Sequence, residues 1–171
     1  MAKIKGKDTH PERIVRRLLH ALGLRFRLHA PELPGRPDVC VRKSRKAVFV
    51  HGCFWHAHGG CPRFRIPKSS EAFWRAKLER NQARDARDRD ALEAAGWSIL
   101  VVWECEACSA VGRKGADGGA AALAARLADF FGAARSGLDS SALSAKASGP
   151  SRGPKKKSKR RTGKAKGPAA A

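Results

Sequence analysis

Residues 48–61 read VFVHGCFWHAHGGC, and this stretch decides how the rest of the chain is interpreted. It begins with β-branched and aromatic residues, as a strand does, and its glycines indicate a loop. It contains two cysteines and three histidines. Cysteine and histidine this close together at a strand end are typical of a bound metal. The adjacent Phe54 and Trp55 favour stacking on a flat group such as a nucleic-acid base.

Three residues of this stretch, Cys53, His58 and Cys61, have the chemistry of zinc ligands. A structural zinc ion needs four nitrogen or sulfur ligands. The fourth candidate is Cys105, which follows a predicted strand directly, or Cys108, which forms a Cys-x-x-Cys pair with it. We prefer Cys105 because strand ends bring distant ligands together. The alternative is that these cysteines are ordinary small buried residues.

The rest of the chain alternates helices and strands. Thr9 and Glu12 form a predicted capping box at a helix start, with Pro11 in the first turn, and Gly23 predicts the helix end. Strands are predicted around residues 24–28, 39–41, 47–51 and 98–103, a long charged helix over 69–95, and a last helix over 117–134. We expect strand 98–103 to be central and Cys40 to be a core residue. The order α-β-β-β-α-β-α fits a small α/β domain with a mixed sheet flanked by helices.

The formal net charge of +21 favours a polyanionic partner, and nucleic acid fits best because basic residues are interleaved with aromatic ones. No apolar run approaches the roughly 18 residues of a membrane span. The first residues are polar, unlike a signal peptide. We therefore expect a cytoplasmic protein, in which the five cysteines stay reduced as ligands or core residues.

Residues 136–171 differ in composition from residues 1–135. They contain ten Lys and Arg against one acid, and no aromatic residue. Such a segment buries too little apolar surface to offset its ordering entropy, so we expect a disordered basic tail. Its basic run would bind DNA phosphates without reading sequence. The run comprises Lys155, Lys156, Lys157, Lys159, Arg160 and Arg161.

Acidic and histidine residues mark two neighbouring predicted strands. Asp38 stands at the start of the second strand, and His51 ends the third. On adjacent strands the two would lie near the same end of the sheet. A carboxylate there suits Mg²⁺, and a nearby histidine can move a proton during attack of water on phosphorus. Alternatively, Asp38 is a turn residue, and His51 and His56 support the metal or pack as polar groups.

A set of short motifs resembles the very short patch repair (Vsr) endonucleases over roughly residues 1–135. The string HGCFWH followed at a distance by WEC is specific to that family. The motifs are PGRPD at 34–38, VFVHGCFWH at 48–56, Phe73-Trp74, Lys77, Asn81, Arg84-Asp85, Gly96-Trp97 and VWEC at 102–105.

The resemblance implies a restriction-endonuclease-like fold of the PD-(D/E)xK superfamily. It implies an enzyme that nicks one strand of double-stranded DNA 5′ of the thymine in a T:G mismatch left by deamination of 5-methylcytosine. It also implies catalytic Mg²⁺, structural Zn²⁺, a nucleoid-associated bacterial protein and contacts with mismatch-repair proteins. We expect a monomer. The lysine that the superfamily usually carries on the third strand is replaced by Val50-His51, as in the histidine-based Vsr variant.

The resemblance also assigns roles to catalytic residues. Asp38 resembles the metal-binding carboxylate and His56 the general base. His51 and Asp85 resemble its partners, and Glu12 resembles the first-helix glutamate near the site, although a capping box explains Glu12 equally well.

The remaining roles concern zinc and DNA. The resemblance implies that Cys53, His58, Cys61 and Cys105 hold zinc. It implies that Phe54, Trp55 and Trp74 form an aromatic wedge that enters the DNA beside the mismatch. On spacing alone, core packing is the favoured interpretation of Trp74.

Two other classes of protein remain open at this point. One is a zinc-stabilised module that binds the mismatch without cutting it, for which Asp38 and His56 would be replaceable. The other is an HNH-type nuclease, which would place its catalytic histidine in a ββα-metal hairpin. A mixed sheet with Asp38 and His51 on neighbouring strands would favour the Vsr interpretation over the HNH one.

Overall fold

The computed structural model describes residues 6–110 and 116–133, with the side chains of residues 116–118 left out. The helices are α1 (His10–Ala21), α2 (Glu71–Ala94), α3 (Glu104–Ser109) and α4 (Ala116–Phe131). The strands are β1 (Arg27–Leu28), β2 (Val39–Val41), β3 (Lys46–His51) and β4 (Ser98–Trp103), and a 3-10 turn covers Arg42–Ser44. The predicted tail, including its six phosphate-binding residues, lies outside the described residues.

The first helix begins as its sequence predicts. Thr9 is the N-cap of α1, and the Glu12 carboxylate accepts hydrogen bonds from the Thr9 backbone N–H and hydroxyl at 3.3 and 2.8 Å. Gly23, with φ of +70°, follows the helix end. This left-handed conformation favours glycine, which has no Cβ to clash. The apolar face of α1 then packs on the sheet through Val15 and Leu19, both fully buried.

The strands form one mixed sheet in the order β1-β2-β3-β4. The first three pair antiparallel, and β3 pairs with β4 in parallel, from Lys46 opposite Ser98 to His51 opposite Trp103. Asp38, just before β2, and His51, at the end of β3, therefore lie on neighbouring strands at the same end of the sheet, as predicted. The helix α2 connects β3 to β4 as a βαβ crossover, which differs from the ββα hairpin of an HNH nuclease.

Two predictions about the elements were wrong, and one helix was missed. Strand β4 is at the edge of the sheet rather than its centre, and only Val102 in it is fully buried. Its apolar residues are divided between the two faces of the sheet, with Leu100 and Val102 packed in the core and Ile99 lining a cleft. The Arg126 guanidinium covers part of the exposed edge by donating to the Val101 carbonyl at 2.9 Å. The first strand is two residues long because Leu24 and Phe26 pack on the core without pairing. The helix α3 was not predicted.

The core lies between the sheet and the helices α1, α3 and α4. Cys40 is fully buried in β2, as predicted. Among the described residues, no helix combines the length and the apolar composition needed to cross a membrane. The fully buried members of the core cluster are Val15, Leu19, Val48, Val102, Ala107, Ala124, Leu127 and Ala128.

Candidate active site and metal centre

A cleft of about 1260 Å³ opens at the end of the sheet where β3 and β4 stop. Its walls come from α1, the loop before β2, the end of β3 and the middle of α2. The five residues predicted to be catalytic all line this one cleft, although they are spread over more than 70 positions of the chain: Glu12, Asp38, His51, His56 and Asp85.

Asp38 is a mostly buried carboxylate with one oxygen free. Its Oδ2 accepts the Val50 backbone N–H at 2.7 Å, so the carboxylate is fixed by pairing with β3. Its Oδ1 accepts no hydrogen bond from the described residues and lies 3.8 Å from His29 Nδ1. Burial raises the pKa of the Asp38 carboxyl to about 6, and the nearby Glu12 also raises it. A hard divalent cation fits here, since it would offset the burial of this charge and occupy the free oxygen.

His56 is oriented by a carboxylate from the long helix. The distance from His56 Nδ1 to Asp85 Oδ2 is 2.5 Å. An ionised carboxylate only accepts hydrogen bonds, so Nδ1 is the donor, and in the neutral tautomer Nε2 carries the lone pair. Asp85 is positioned by α2, so the ring orientation depends on a rigid element rather than on the loop that carries His56. A base held in one tautomer by a carboxylate is a recurrent catalytic arrangement.

His51 stacks on His56. The ring centroids are 3.8 Å apart and the rings are within 8° of parallel. Burial, together with the adjacent His56 and Arg89, lowers the pKa of His51 to about 4. At neutral pH His51 is therefore uncharged. It gives His56 a flat neighbour without adding a second positive charge to the cleft.

Glu12 faces the cleft but its oxygens are already used. Besides the bonds from Thr9, it accepts the Asp8 N–H at 3.0 Å and the Arg16 guanidinium at 2.7 Å. The same guanidinium donates to His29 Nε2 at 3.0 Å. Ligand atoms of Asp8, Glu12 and His29 lie within 4.8 Å of one another, but Arg16 already supplies the positive charge there. Arg16 and His29 were not predicted, because no local motif marks them.

The four predicted zinc ligands are brought together. The ligand atoms of Cys53, His58, Cys61 and Cys105 all lie within 4.8 Å of one another. Cys105, in the first turn of α3, is the member from outside the loop, with its Sγ 3.5 Å from His58 Nδ1. Cys108 contacts the Arg63 guanidinium instead and does not belong to this group.

The chemistry of this group fits zinc. Burial raises the pKa of the Cys53 thiol to about 12, and burial also raises the pKa of Cys105. Thiols packed this closely cannot all ionise unless a cation offsets their charge. Three sulfurs and one imidazole nitrogen form a Cys₃His set, which is a common structural zinc site.

The predicted wedge residues form an aromatic cluster beside the cleft. The rings of Phe54, Trp55 and Trp74 lie 5.2–6.2 Å apart. The Lys77 ammonium lies over Trp55 and Trp74, 5.3 and 5.2 Å from their ring centroids. Phe73, for which no role was predicted, is 55% exposed and packs on Trp74 at 5.4 Å. This surface presents rings and a cation together, as nucleic-acid stacking surfaces do.

One ring joins the two histidine groups. Trp103 at the end of β4 stacks on His58 with centroids 4.0 Å apart and planes within 2° of parallel. It also contacts His51 at 5.5 Å, with the planes 75° apart. Trp103 belongs to the VWEC motif, but no role was predicted for it.

Comparison with known proteins gives first a class, that of DNA nicking enzymes. The chain is 51% identical over 106 residues to the type II nicking enzyme V.XorIIP of Xanthomonas oryzae pv. oryzae, covering 62% of this chain and 77% of that protein. It is 42% identical over 106 residues to the type II nicking enzyme V.NmeAIP of Neisseria meningitidis serogroup A, covering 62% and 75%.

The particular family follows from two further matches. The family model described as DNA mismatch endonuclease Vsr matches residues 1–62. The DNA mismatch endonuclease Vsr of Escherichia coli is 44% identical over 105 residues, covering 61% of this chain and 67% of that protein. The chain belongs to the Vsr family of DNA mismatch endonucleases, as the sequence motifs predicted.

The geometry of the metal group predicts that Cys105, and not Cys108, is the fourth zinc ligand. The purified protein should contain one zinc ion per chain, and Cys105→Ala should lose it and unfold at a lower temperature, because binding energy at such a site is folding energy. Cys108→Ala is the matched control and should retain zinc. Metal analysis and thermal unfolding check this. Loss of zinc from Cys108→Ala but not from Cys105→Ala would contradict the ligand set.

Asp38 makes a prediction about stability and pH. Its folded-state pKa is raised, so the folded protein loses stability as pH rises from about 4 to about 6 and stays less stable above that range. Asp38→Asn keeps an acceptor for the Val50 N–H and removes the buried charge. Without Mg²⁺ at pH 8, it should raise the free energy of unfolding by about 1–2 kcal/mol.

Urea unfolding of the zinc-loaded proteins at pH 8 and pH 5 measures this difference. The gain should shrink at pH 5, where Asp38 is largely protonated. Asp90→Asn removes the same charge from an exposed position on α2 and should change little at either pH. An Asp38→Asn variant less stable than wild type at pH 8 would show that the carboxylate charge is not costly there.

Proposed function

We propose that this protein nicks one strand of double-stranded DNA 5′ of the thymine in T:G mismatches that arise from deamination of 5-methylcytosine. The observation that carries the proposal is the pairing of His56 with Asp85 in the same cleft as the buried Asp38 carboxylate. The family membership and the nicking activity named for its relatives support it.

In the proposed reaction His56 is the general base. Its Nε2 is free because Asp85 holds Nδ1, and it takes the proton from the attacking water. His51, stacked on His56 and uncharged at neutral pH, keeps the ring in place. The imidazolium that forms is stabilised by Asp85. These side chains therefore supply the proton transfer and its orientation.

Asp38 would hold Mg²⁺ through its free Oδ1, and Glu12 would tune the charge around it. A bound Mg²⁺ supplies positive charge to the scissile phosphate and to the leaving 3′-oxygen. Asp38 is suited to this because Val50 fixes its other oxygen. Glu12 acts chiefly through Arg16 and the helix cap, since its oxygens are hydrogen-bonded there.

Zinc at the Cys₃His group would have a structural role. Three of the four ligands flank Phe54, Trp55 and His56 in the chain, and Cys105 ties the same loop to α3. Zinc would thus fix the loop that carries both the base and two wedge residues. A structural site of this kind is closed, with every position taken by protein ligands.

Phe54, Trp55 and Trp74 would enter the DNA beside the mismatch. A T:G wobble pair stacks less well than a normal pair, so opening the step beside it costs less. Inserting a wedge costs a few kcal/mol per step, roughly, and the bent DNA recovers this through wider contact. The partly buried rings and the Lys77 cation give a surface ready for this insertion.

The same proposal covers the fold family and the domain division. We assign the mixed sheet and its flanking helices to the PD-(D/E)xK superfamily. In this assignment Asp38 is the metal-binding carboxylate of the superfamily motif. Residues 1–135 form the endonuclease domain, acting as a monomer, and residues 136–171 are a basic tail outside it. Mismatch-repair proteins are its proposed partners in the bacterial cytoplasm.

The test of the reaction uses a T:G duplex with either strand labelled, in Mg²⁺. Wild type should nick the T strand and leave a C:G duplex intact. His56→Ala should lower the single-turnover rate by about 10²- to 10⁴-fold, because it removes the base. Asp38→Ala should abolish nicking while DNA binding, measured by fluorescence anisotropy, persists.

Two controls make the outcome interpretable. His10→Ala removes an exposed histidine outside the cleft and should nick as wild type does. If wild type binds the T:G duplex in several flanking sequences but cuts none, the protein is a non-catalytic mismatch-binding module. If Asp38→Ala cuts as fast as wild type, the proposed metal ligand is wrong.

The tail makes a separate prediction about salt dependence. Replacing its six phosphate-binding residues with alanine should weaken DNA binding in low salt without changing the preference for T:G over C:G, because phosphate contacts carry no sequence information. The slope of log K against log salt should fall by about 0.9 for each phosphate that the variant no longer neutralises. An unchanged slope would show that Lys155, Lys156, Lys157, Lys159, Arg160 and Arg161 do not bind the DNA.

A further inference from the structure

We propose that Trp103 is a positioning residue that couples the zinc-binding loop to the His51–His56 pair. The inference rests on the proposed function, since it concerns how the base of that reaction is held. Its observation is a continuous column of rings, in which His58 stacks on Trp103, Trp103 contacts His51, and His51 stacks on His56.

The backbone fixes Trp103 in this place. Strands β3 and β4 pair in parallel with Trp103 directly opposite His51, so the two side chains leave the sheet on the same face. The backbone N–H of Trp103 donates to the Glu106 carboxylate at 3.4 Å, where α3 begins. Trp103 is therefore held from the strand on one side and from the helix on the other.

The metal group fixes the first ring of the column. His58 Nδ1 faces the Cys105 sulfur, so this nitrogen points into the ligand group and the face of the imidazole is left for Trp103. The backbone N–H of His58 also donates to the Cys53 carbonyl at 2.9 Å. A zinc ion bound at Nδ1 would hold the edge of the His58 ring, and stacking on the parallel Trp103 indole fixes its plane.

The other end of the column is the base itself. His56 is held by Asp85 through a hydrogen bond at its edge and by His51 through stacking on its face. The hydrogen bond alone leaves the ring free to rotate about the bonding direction. Stacking on His51 removes that freedom, and His51 is in turn held by Trp103 at 5.5 Å. Loss of Trp103 would thus loosen the base without removing any group that takes part in proton transfer.

Three variants separate this role from simple space filling. Trp103→Leu removes the ring, and Trp103→Phe keeps a smaller one. His58→Cys keeps four zinc ligands but removes the ring that stacks on Trp103. Phe130→Leu is the control for loss of a partly buried ring, because Phe130 lies by Lys46 at the opposite end of β3.

For each variant we would measure zinc content, T:G binding, the single-turnover nicking rate and the ring signals of the histidines by NMR. Trp103→Leu should bind DNA nearly as wild type but nick about 10- to 100-fold more slowly, the loss that a small misplacement of a catalytic group causes. Trp103→Phe should recover much of that rate. His58→Cys should keep zinc, lose rate and shift the His51 and His56 signals, with no further loss when combined with Trp103→Leu.

The outcomes that overturn the coupling are distinct from failure of the proposed function. If zinc-loaded His58→Cys nicks at the wild-type rate with unchanged His51 and His56 signals, the column transmits nothing. If Trp103→Leu loses no more rate than Phe130→Leu, Trp103 only fills space. If wild type nicks no mismatch at all, the proposed function fails, and the NMR shifts of zinc-loaded His58→Cys still decide the coupling.

Discussion

The parallel pairing of β3 with β4 is the constraint on which the site depends. It places His51 opposite Trp103, so the loop after β3 and the helix α3 after β4 leave the sheet at the same end. Cys53 and Cys105 begin those two segments, which is why ligands 52 positions apart can meet. A parallel pair also requires a crossover connection. Here that connection contains α2, which brings Asp85 to the same end of the sheet.

Two sites at this end of the sheet contain groups that suit a cation. Burial raises the pKa of the Asp38 carboxyl to about 6, so its charge is costly at neutral pH, and burial raises the pKa of the Cys53 thiol to about 12, so this thiol ionises readily only beside a cation. Elsewhere near the cleft the chain supplies its own positive charge, as Arg16 does for Glu12. We therefore propose that Asp38 and the cysteines bind metal ions, whereas Glu12 is neutralised from within the protein.

Local sequence predicted the features that depend on local interactions. The capping box at Thr9, the bounds of α2 and the Cys and His spacing of the zinc loop are all encoded within a few residues. The position of β4 was not predictable in this way, because an apolar strand reads alike at the centre or at an edge closed by Arg126. The contacts of Trp103 with His58 and His51 were also hidden, since they join residues about 50 positions apart through packing alone.

The spacing within residues 53–61 has a physical reason. The proposed ligands at 53, 58 and 61 enclose the proposed wedge residues Phe54 and Trp55 and the proposed base His56, so a zinc ion would order all three at once. A loop of this length with no secondary structure would otherwise lose conformational entropy each time it aligned a base with a phosphate. Ordering by zinc and by the ring column would remove that cost before DNA binds. In the proposed reaction, mismatch binding and proton transfer would then share one short loop, because neither would have to position its own residues.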